Sequence, residues 1–483
     1  MKINIKRILS SVLLSSLLFS TACSNVPAED LPVLMSFRNT DSSAVVAMID
    51  EITEASFETE SAIEAAFIAY YELEGDSKNQ VTNYERLLTL RDEIADLYED
   101  TTKRGVRIDR SKILIGTYCV NYYDDAHVKE VADCGIDFIA AANYNGDFLD
   151  TLAKYGIGAF VSARDVVDHE AIWGIELIDE PHSSLFPGIG QSTQELLDKY
   201  PNYQVYINLF PNYATADNLG NANEYKKADY VGHIQQYIEY VNTDYVSYDH
   251  YMYNPYHGGW SDYIENLRIV ADACRPINKD YWVVIEANHP MPDSIVSLDQ
   301  LKFQANTAIA FGYTVVNWAC WNPGWWYNNI CDAAGNKTEQ YDKVKQVNEE
   351  INILSPVYMK YKNIDVNLIG AESADCTAFY RYDDNVIDQN VFVDVSMPKG
   401  TVQTVLCGYF EKRIGEGSAM MFVNVTDSMC EDKNAGLVYF KVSKADAVVT
   451  EHTASGSFIL EPDANGYYSI TVENAEYSFV TVE

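Results

Sequence analysis

A chain of 483 residues exceeds the usual size of one domain, so two or three compact units are expected, and its 47% of hydrophobic residues can fill a large core. A formal charge of -37 at pH 7 argues against nucleic acid as a partner, because phosphate binding draws on lysine and arginine. The same charge bears on surface solubility and does not choose a fold.

Residues 1–22 read as a signal peptide: Lys2, Lys6 and Arg7 precede an apolar run from Ile8 to Phe19, followed by the small residues Ser20-Thr21-Ala22. Ala22-Cys23-Ser24 resembles a bacterial lipoprotein cleavage site. That resemblance implies a lipidated Cys23 and a protein exported to the outer face of a bacterial cell membrane, held there by the lipid alone. Ser20 stands where leucine is usual, and Ser20-x-Ala22 also fits an ordinary signal peptidase. The run is shorter than the roughly 20 residues a bilayer span needs. The eight cysteines beyond Cys23 show no CxxC and no Cys/His spacing of a zinc site. His169-Glu170 opens like HExxH, but position 173 is Trp, so no metal is expected, and no organic cofactor either.

Residues 41–106 carry apolar side chains at helical spacing, such as Ile63, Phe67, Tyr70 and Tyr71, then Leu87, Leu88, Ile94 and Leu97. The stretch resembles small helical modules of Gram-positive surface proteins, which implies a spacer or stalk. Across residues 110–355 the pattern changes to short β-branched runs separated by helical stretches, the mark of βα units. The runs are ILIGTY (113–118), DFIAAA (137–142), GAFVSA (158–163), WGIELI (173–178), QVYINL (204–209), YVSYDH (245–250), WVVIEA (282–287) and TVVNWA (314–319). Eight such units predict a (β/α)8 barrel. The stretch after the third run, 166–171, is short for a helix. Ser355-Pro356 marks the next boundary, and residues 356–483 alternate with turn residues between the runs, which predicts an all-β sandwich that stabilises or shields the barrel.

Barrel active sites form at the C-terminal ends of the strands. The fourth run leads into Asp179-Glu180-Pro181-His182 and the seventh into Glu286-Ala287-Asn288-His289. Two glutamates facing one pocket are the equipment for glycoside hydrolysis with retention: one acid protonates the leaving oxygen and one carboxylate attacks the anomeric carbon. A neighbouring charge, Asp179 or Glu286, would keep the acid protonated by repulsion. Asn143 ends the second run and is placed to contact substrate, and His250 is a further pocket candidate. Trp325-Trp326 suit either a pocket wall or core packing.

DYVSYDHY, VVIEANHP, AFGYTVVNWACW and the later CGYFEKRIGEGSAMMFVNV resemble the clan of retaining (β/α)8 glycoside hydrolases, within it the family 42 beta-galactosidase-like proteins. The resemblance implies a carbohydrate substrate, Glu180 as acid/base, Glu286 as nucleophile, Tyr251 as the tyrosine that holds the nucleophile, and Trp318 or Trp321 as the sugar platform. The clan usually has Asn before the acid/base, where this chain has Asp179. Adjacent Asp-Glu also occurs in N-acetylhexosaminidases that use the substrate's acetamido group as nucleophile, with Asp179 then orienting that group and Glu286 binding. A non-catalytic carbohydrate-binding lipoprotein is the competing class, against which the paired carboxylates speak. Oligomeric state is not legible.

Overall fold

The computed structural model describes residues 112–483 apart from 143–147, 223–226, 258, 372–386, 414 and 433, together with 41–56 and scattered positions from 59 to 93. The signal peptide, Cys23 and Asn143 lie outside the described residues. Two compact units divide the chain, Met1–Lys103 and Arg104–Glu483. In the first, helix α1 (Ser42–Glu51) is capped by Asp41, whose carboxylate accepts from the Ala44 N–H at 2.9 Å. Its Val45 and Ile49 share a core with Ile63, Ala66, Leu87 and Leu90.

In the second unit eight parallel strands close into a barrel: β1 (Leu114–Thr117), β2 (Phe138–Ala142), β3 (Gly158–Ser162), β4 (Ile172–Asp179), β5 (Gln204–Leu209), β6 (Tyr245–Asp249), β7 (Asp280–Glu286) and β8 (Val315–Ala319). Each lies on a run read from the sequence, and the (β/α)8 expectation holds. Helices α2 (Asp125–Asp133), α3 (Phe148–Lys154), α4 (Phe186–Lys199), α5 (Ala216–Leu219), α6 (Tyr230–Tyr240), α7 (Gly259–Cys274), α8 (Leu298–Ala310) and α9 (Glu339–Tyr358) connect and cover them. Between β3 and β4 there is only a 3-10 turn, Ala163–Asp165.

The barrel interior is filled by Leu114, Phe138, Phe160, Trp173, Tyr206, Tyr245, Trp282 and Val315. Rings this large fit because glycines stand opposite them: a methyl at Gly116 would collide with the Phe138 ring, at Gly158 with Trp173 and at Gly174 with Phe160. The barrel is therefore a packed core with its free space confined to the ends.

Ser355-Pro356, the boundary read from the sequence, lies in the last turn of α9. Ser355 supports it there, its Oγ donating to Ile351 O at 2.9 Å and accepting from the Ile113 N–H at 3.1 Å. The β-domain starts three residues on. Its larger sheet joins β9 (Tyr361–Gly370), β12 (Thr404–Lys412), β13 (Ser418–Asn424), β15 (Val449–Thr453), β16 (Gly456–Ile459) and β18 (Tyr477–Val482); the smaller joins β10 (Ile387–Gln389), β11 (Phe392–Ser396), β14 (Gly436–Val442) and β17 (Tyr468–Val472). One face of the larger sheet packs on the smaller through Val405, Tyr409, Met420, Phe422 and Phe440. Its other face, with Leu406, Phe410, Met421 and Phe479, joins the core around the barrel. Burial on both faces explains why SAMMFVN on β13 is apolar without alternation and buried throughout.

Lys302 of α8, 7% exposed, pairs with Glu350 of α9 at 2.8 Å and with Glu476 of the β-domain at 2.6 Å. Removing a buried cation strands its partners. Lys302→Ala is expected to destabilise the second unit by about 3 kcal/mol, read as a lower urea midpoint at unchanged slope. An unmoved midpoint would show that this triad contributes no net stability.

Candidate active site

β4 stays extended to Asp179 and the chain turns at Glu180, whose φ is 44°. A left-handed backbone at a non-glycine residue needs support, and the Glu180 N–H donates to Asn208 O at 2.8 Å. Asn208 of β5 organises the carboxylates beside it. Its Nδ2 donates to Asp249 Oδ1 at 2.9 Å and to Asp179 Oδ1 at 3.3 Å, while its Oδ1 accepts from Ser247 Oγ at 3.0 Å and so fixes which end of the amide faces the acids. Asp249, at the end of β6, is 5% exposed and meets the Glu180 carboxyl in a hydrogen bond.

Burial, and then the charge of Asp179, raise the Glu180 carboxyl from 4.5 to about 7, against the bond with Asp249. Asp249 is pushed well above the carboxylate range by burial and then by Glu180 and Asp179. Asp179 is solvent-exposed at the rim, yet the protein walling its other sides still raises it, with Asn208 opposing.

Glu286 ends β7 and continues its inward alternation after Trp282 and Val284. It is 0% exposed. Its Oε1 accepts from the Tyr253 N–H, its Oε2 has no hydrogen-bond partner, and its backbone is clamped by Gln304 through two 3.2 Å bonds. Burial raises this carboxyl well above the usual range, with the Tyr253 N–H opposing. The charges that act on Glu180 are those of its carboxyl neighbours Asp179 and Asp249. Tyr213, in the loop after β5, feels Asp249, Glu286 and Glu180 together. Its hydroxyl accepts from the Tyr251 N–H at 3.4 Å and its ring lies flat on His257 at 4.0 Å.

Three residues read from the sequence as substrate contacts sit elsewhere. Trp318 is fully buried on the outer side of β8, its Nε1 donating to Asn348 of α9 at 2.9 Å. Trp321 is 3% exposed and packs edge-on against Tyr341 of the same helix. His250 is fully enclosed between the Tyr213 and Tyr263 rings, with neither ring nitrogen bonded, and burial lowers it to about 3, so it is a neutral core residue. The aromatic wall at the strand ends comes from other residues. Tyr251 packs edge-on against Trp326 at 4.9 Å and beside Trp325, which meets Tyr118; all four are partly exposed. Tyr251 lies in the field of Asp249 and Asp179, and the bond to Glu286 comes from Tyr253.

Asp249, Asn208 and Tyr213 were not singled out in the sequence, although Asp249 follows Tyr245 and Ser247 at the period that points inward. Among the described residues no group of three or more His, Cys, Asp or Glu is placed to hold a metal ion.

No family model matches the chain, and no curated protein matches it. Among solved structures, it is similar to a family 51 alpha-L-arabinofuranosidase from Bifidobacterium longum at 9% identity and TM-score 0.40, over 78% of this chain and 96% of that one. A family 42 beta-galactosidase from G. stearothermophilus aligns at 6% identity and TM-score 0.40, over 78% of this chain and 100% of that one. The beta-galactosidase of Marinomonas ef1 aligns at 10% identity and TM-score 0.36, over 51% of this chain and 61% of its own length. At such identities the likeness concerns fold alone.

The folded protein holds the Glu180 proton more tightly than the unfolded chain does. The stability this contributes is present below pH 4.5 and is lost as pH rises through about 7. Glu180→Gln removes that loss, so its Tm is expected to gain on the wild type steadily across this window. A constant difference in Tm would return Glu180 to the ordinary carboxylate range.

Proposed function

We propose that this chain is a glycoside hydrolase that cleaves O-glycosidic bonds of oligo- or polysaccharides, with Glu180 as acid/base. The observation that carries the reading is Glu180 itself: a carboxyl at the C-terminal end of β4, protonated near neutral pH by burial and the charge of Asp179. A general acid works best with a pKa near the operating pH. Below it lies a packed barrel, and beside it an aromatic wall of Tyr118, Tyr251, Trp325 and Trp326 suited to the apolar faces of sugar rings.

In the retaining scheme Glu286 attacks the anomeric carbon and Glu180 protonates the leaving oxygen, then deprotonates the water that releases the sugar. The Tyr253 N–H at Glu286 Oε1 favours the anion this step requires. The sequence likeness to family 42 makes beta-galactosides the first substrates to try.

A second reading is favoured by the full burial of Glu286, while Asp179 is open to solvent beside the acid. There the substrate's acetamido group is the nucleophile, oriented by Asp179. For either chemistry, residues 1–23 support an exported, lipid-anchored protein facing extracellular saccharides.

A panel of aryl glycosides and oligosaccharides, with the anomeric form of the product followed, separates the readings. Glu180→Gln is expected to lower turnover about 100- to 10,000-fold. Under the two-glutamate scheme Glu286→Gln falls comparably. Activity confined to N-acetylhexosaminides, surviving Glu286→Gln and lost in Asp179→Asn, would instead establish substrate assistance. Saccharide binding without turnover on any substrate would leave a carbohydrate-binding protein.

A further inference from the structure

Two cysteines meet where the barrel closes on itself. β1 and β8 are neighbouring parallel strands in the register Leu114 with Val315 through Thr117 with Trp318, and Cys119 and Cys320 each lie two residues past the last of these pairs. The two segments stay hydrogen-bonded there, Trp321 N–H donating to Tyr118 O at 2.8 Å and Asn322 N–H to Cys119 O at 3.1 Å. The two cysteines are thereby held close together, as a disulfide requires.

The side chains point the same way. Each thiol is a neighbour that acts on the other. A methyl built on Gly324 would collide with Cys119 Sγ and stand 3.6 Å from Cys320 Sγ, so both face one small space under that glycine. Asn288 Nδ2 and the N–H groups of Gly324 and Trp325 are directed at Cys320 Sγ. Cys119 is partly exposed and Cys320 is 0% exposed, the arrangement of an attacking thiol with a resolving one behind it.

We propose that Cys119 and Cys320 are a thiol modification site, an oxidisable pair that forms a disulfide across the β1–β8 seam on exchange with a low-molecular-weight disulfide. The Cys119 thiolate attacks one sulfur of the small disulfide and one thiolate leaves. Cys320 then gives its proton to solvent, attacks Cys119 Sγ and expels the second thiolate. Two protein thiols are oxidised, and one disulfide is reduced to two thiols. The bond pins the loop that carries Trp325 and Trp326 to the end of β1, so the pocket wall hardens whatever reaction the pocket performs.

The test is thiol mapping of the reduced full chain after exposure to oxidised glutathione, and it needs no substrate. A Cys119–Cys320 linked peptide is expected, with no glutathione retained at Cys119. The two thiols should disappear at least about tenfold faster than the buried Cys134, Cys274 and Cys407, as accessibility and thiolate character dictate. Trp325 fluorescence should fall as the bond forms and recover on reduction with dithiothreitol. Cys320→Ser should trap glutathione on Cys119. Glutathione retained at Cys119 in the wild-type chain, a link from either cysteine to a different partner, or a Cys119 that reacts only after denaturation would each overturn the proposal, even if Cys320→Ser does not fold.

Discussion

The rings of Tyr245 and Trp282 stack at 3.6 Å, almost parallel, inside the barrel, and Phe138, Phe160, Trp173 and Tyr206 close around them. Packing at this density leaves no room for water or polar groups at that level. Polar side chains on inward positions therefore begin above it. There Tyr206 reaches up to share a 2.6 Å hydrogen bond with Tyr118, and Ser247, Asn208 and Asp249 follow toward the strand ends. The plug thus does two things at once. It stabilises the barrel, and it forms an apolar floor that makes every carboxylate above it costly to ionise.

That floor explains why the carboxyls are shifted in one direction. Asp179, Glu180, Asp249 and Glu286 are all raised, with burial the first cause in each. What differs is the degree of enclosure. Asp249 and Glu286 are buried and are raised furthest even though the Asn208 amide and the Tyr253 N–H favour their anions, whereas Glu180 is partly exposed and rises only to about 7. Glu180 is consequently the group whose proton is exchanged near neutrality, and its neighbours define a site with distinct acid and anion positions. Environments that push similar groups apart are how one pocket supplies an acid and a base.

The barrel was legible because its strands are β-branched runs at regular spacing, and the glutamates at the ends of β4 and β7 stood out for the same reason. Errors arose where strand alternation was not carried through to the last residue. On β8, Val315, Asn317 and Ala319 alternate with Trp318, which must then face the helices, and on β6 the same count sends His250 outward and Asp249 inward. A tryptophan after a strand draws the eye as a sugar platform, but parity decides which side it meets. The continuation of α9 through Pro356 was not legible, since it depends on Ser355 bonding to Ile113, 242 residues away in sequence.

The β-domain also reaches the site, through a chain of contacts that gives it a role beyond covering the barrel. Its 427–430 turn accepts from Tyr253 Oη at Ser428 O, 2.9 Å, and from Gln300 Nε2 at Met429 O, 3.2 Å. Tyr253 is the residue whose N–H meets Glu286, and Gln300 lies on the helix whose Gln304 clamps the Glu286 backbone. Lys302, two residues after Gln300 on that helix, is tied to the same domain through Glu476. Both supports of Glu286 are therefore anchored on the β-domain, whereas Glu180, Asp179 and Asp249 are positioned by barrel strands alone. A disturbance of the β-domain should reach the carboxylate at the end of β7 before it reaches the acid at the end of β4, because only the first depends on the turn at Ser428.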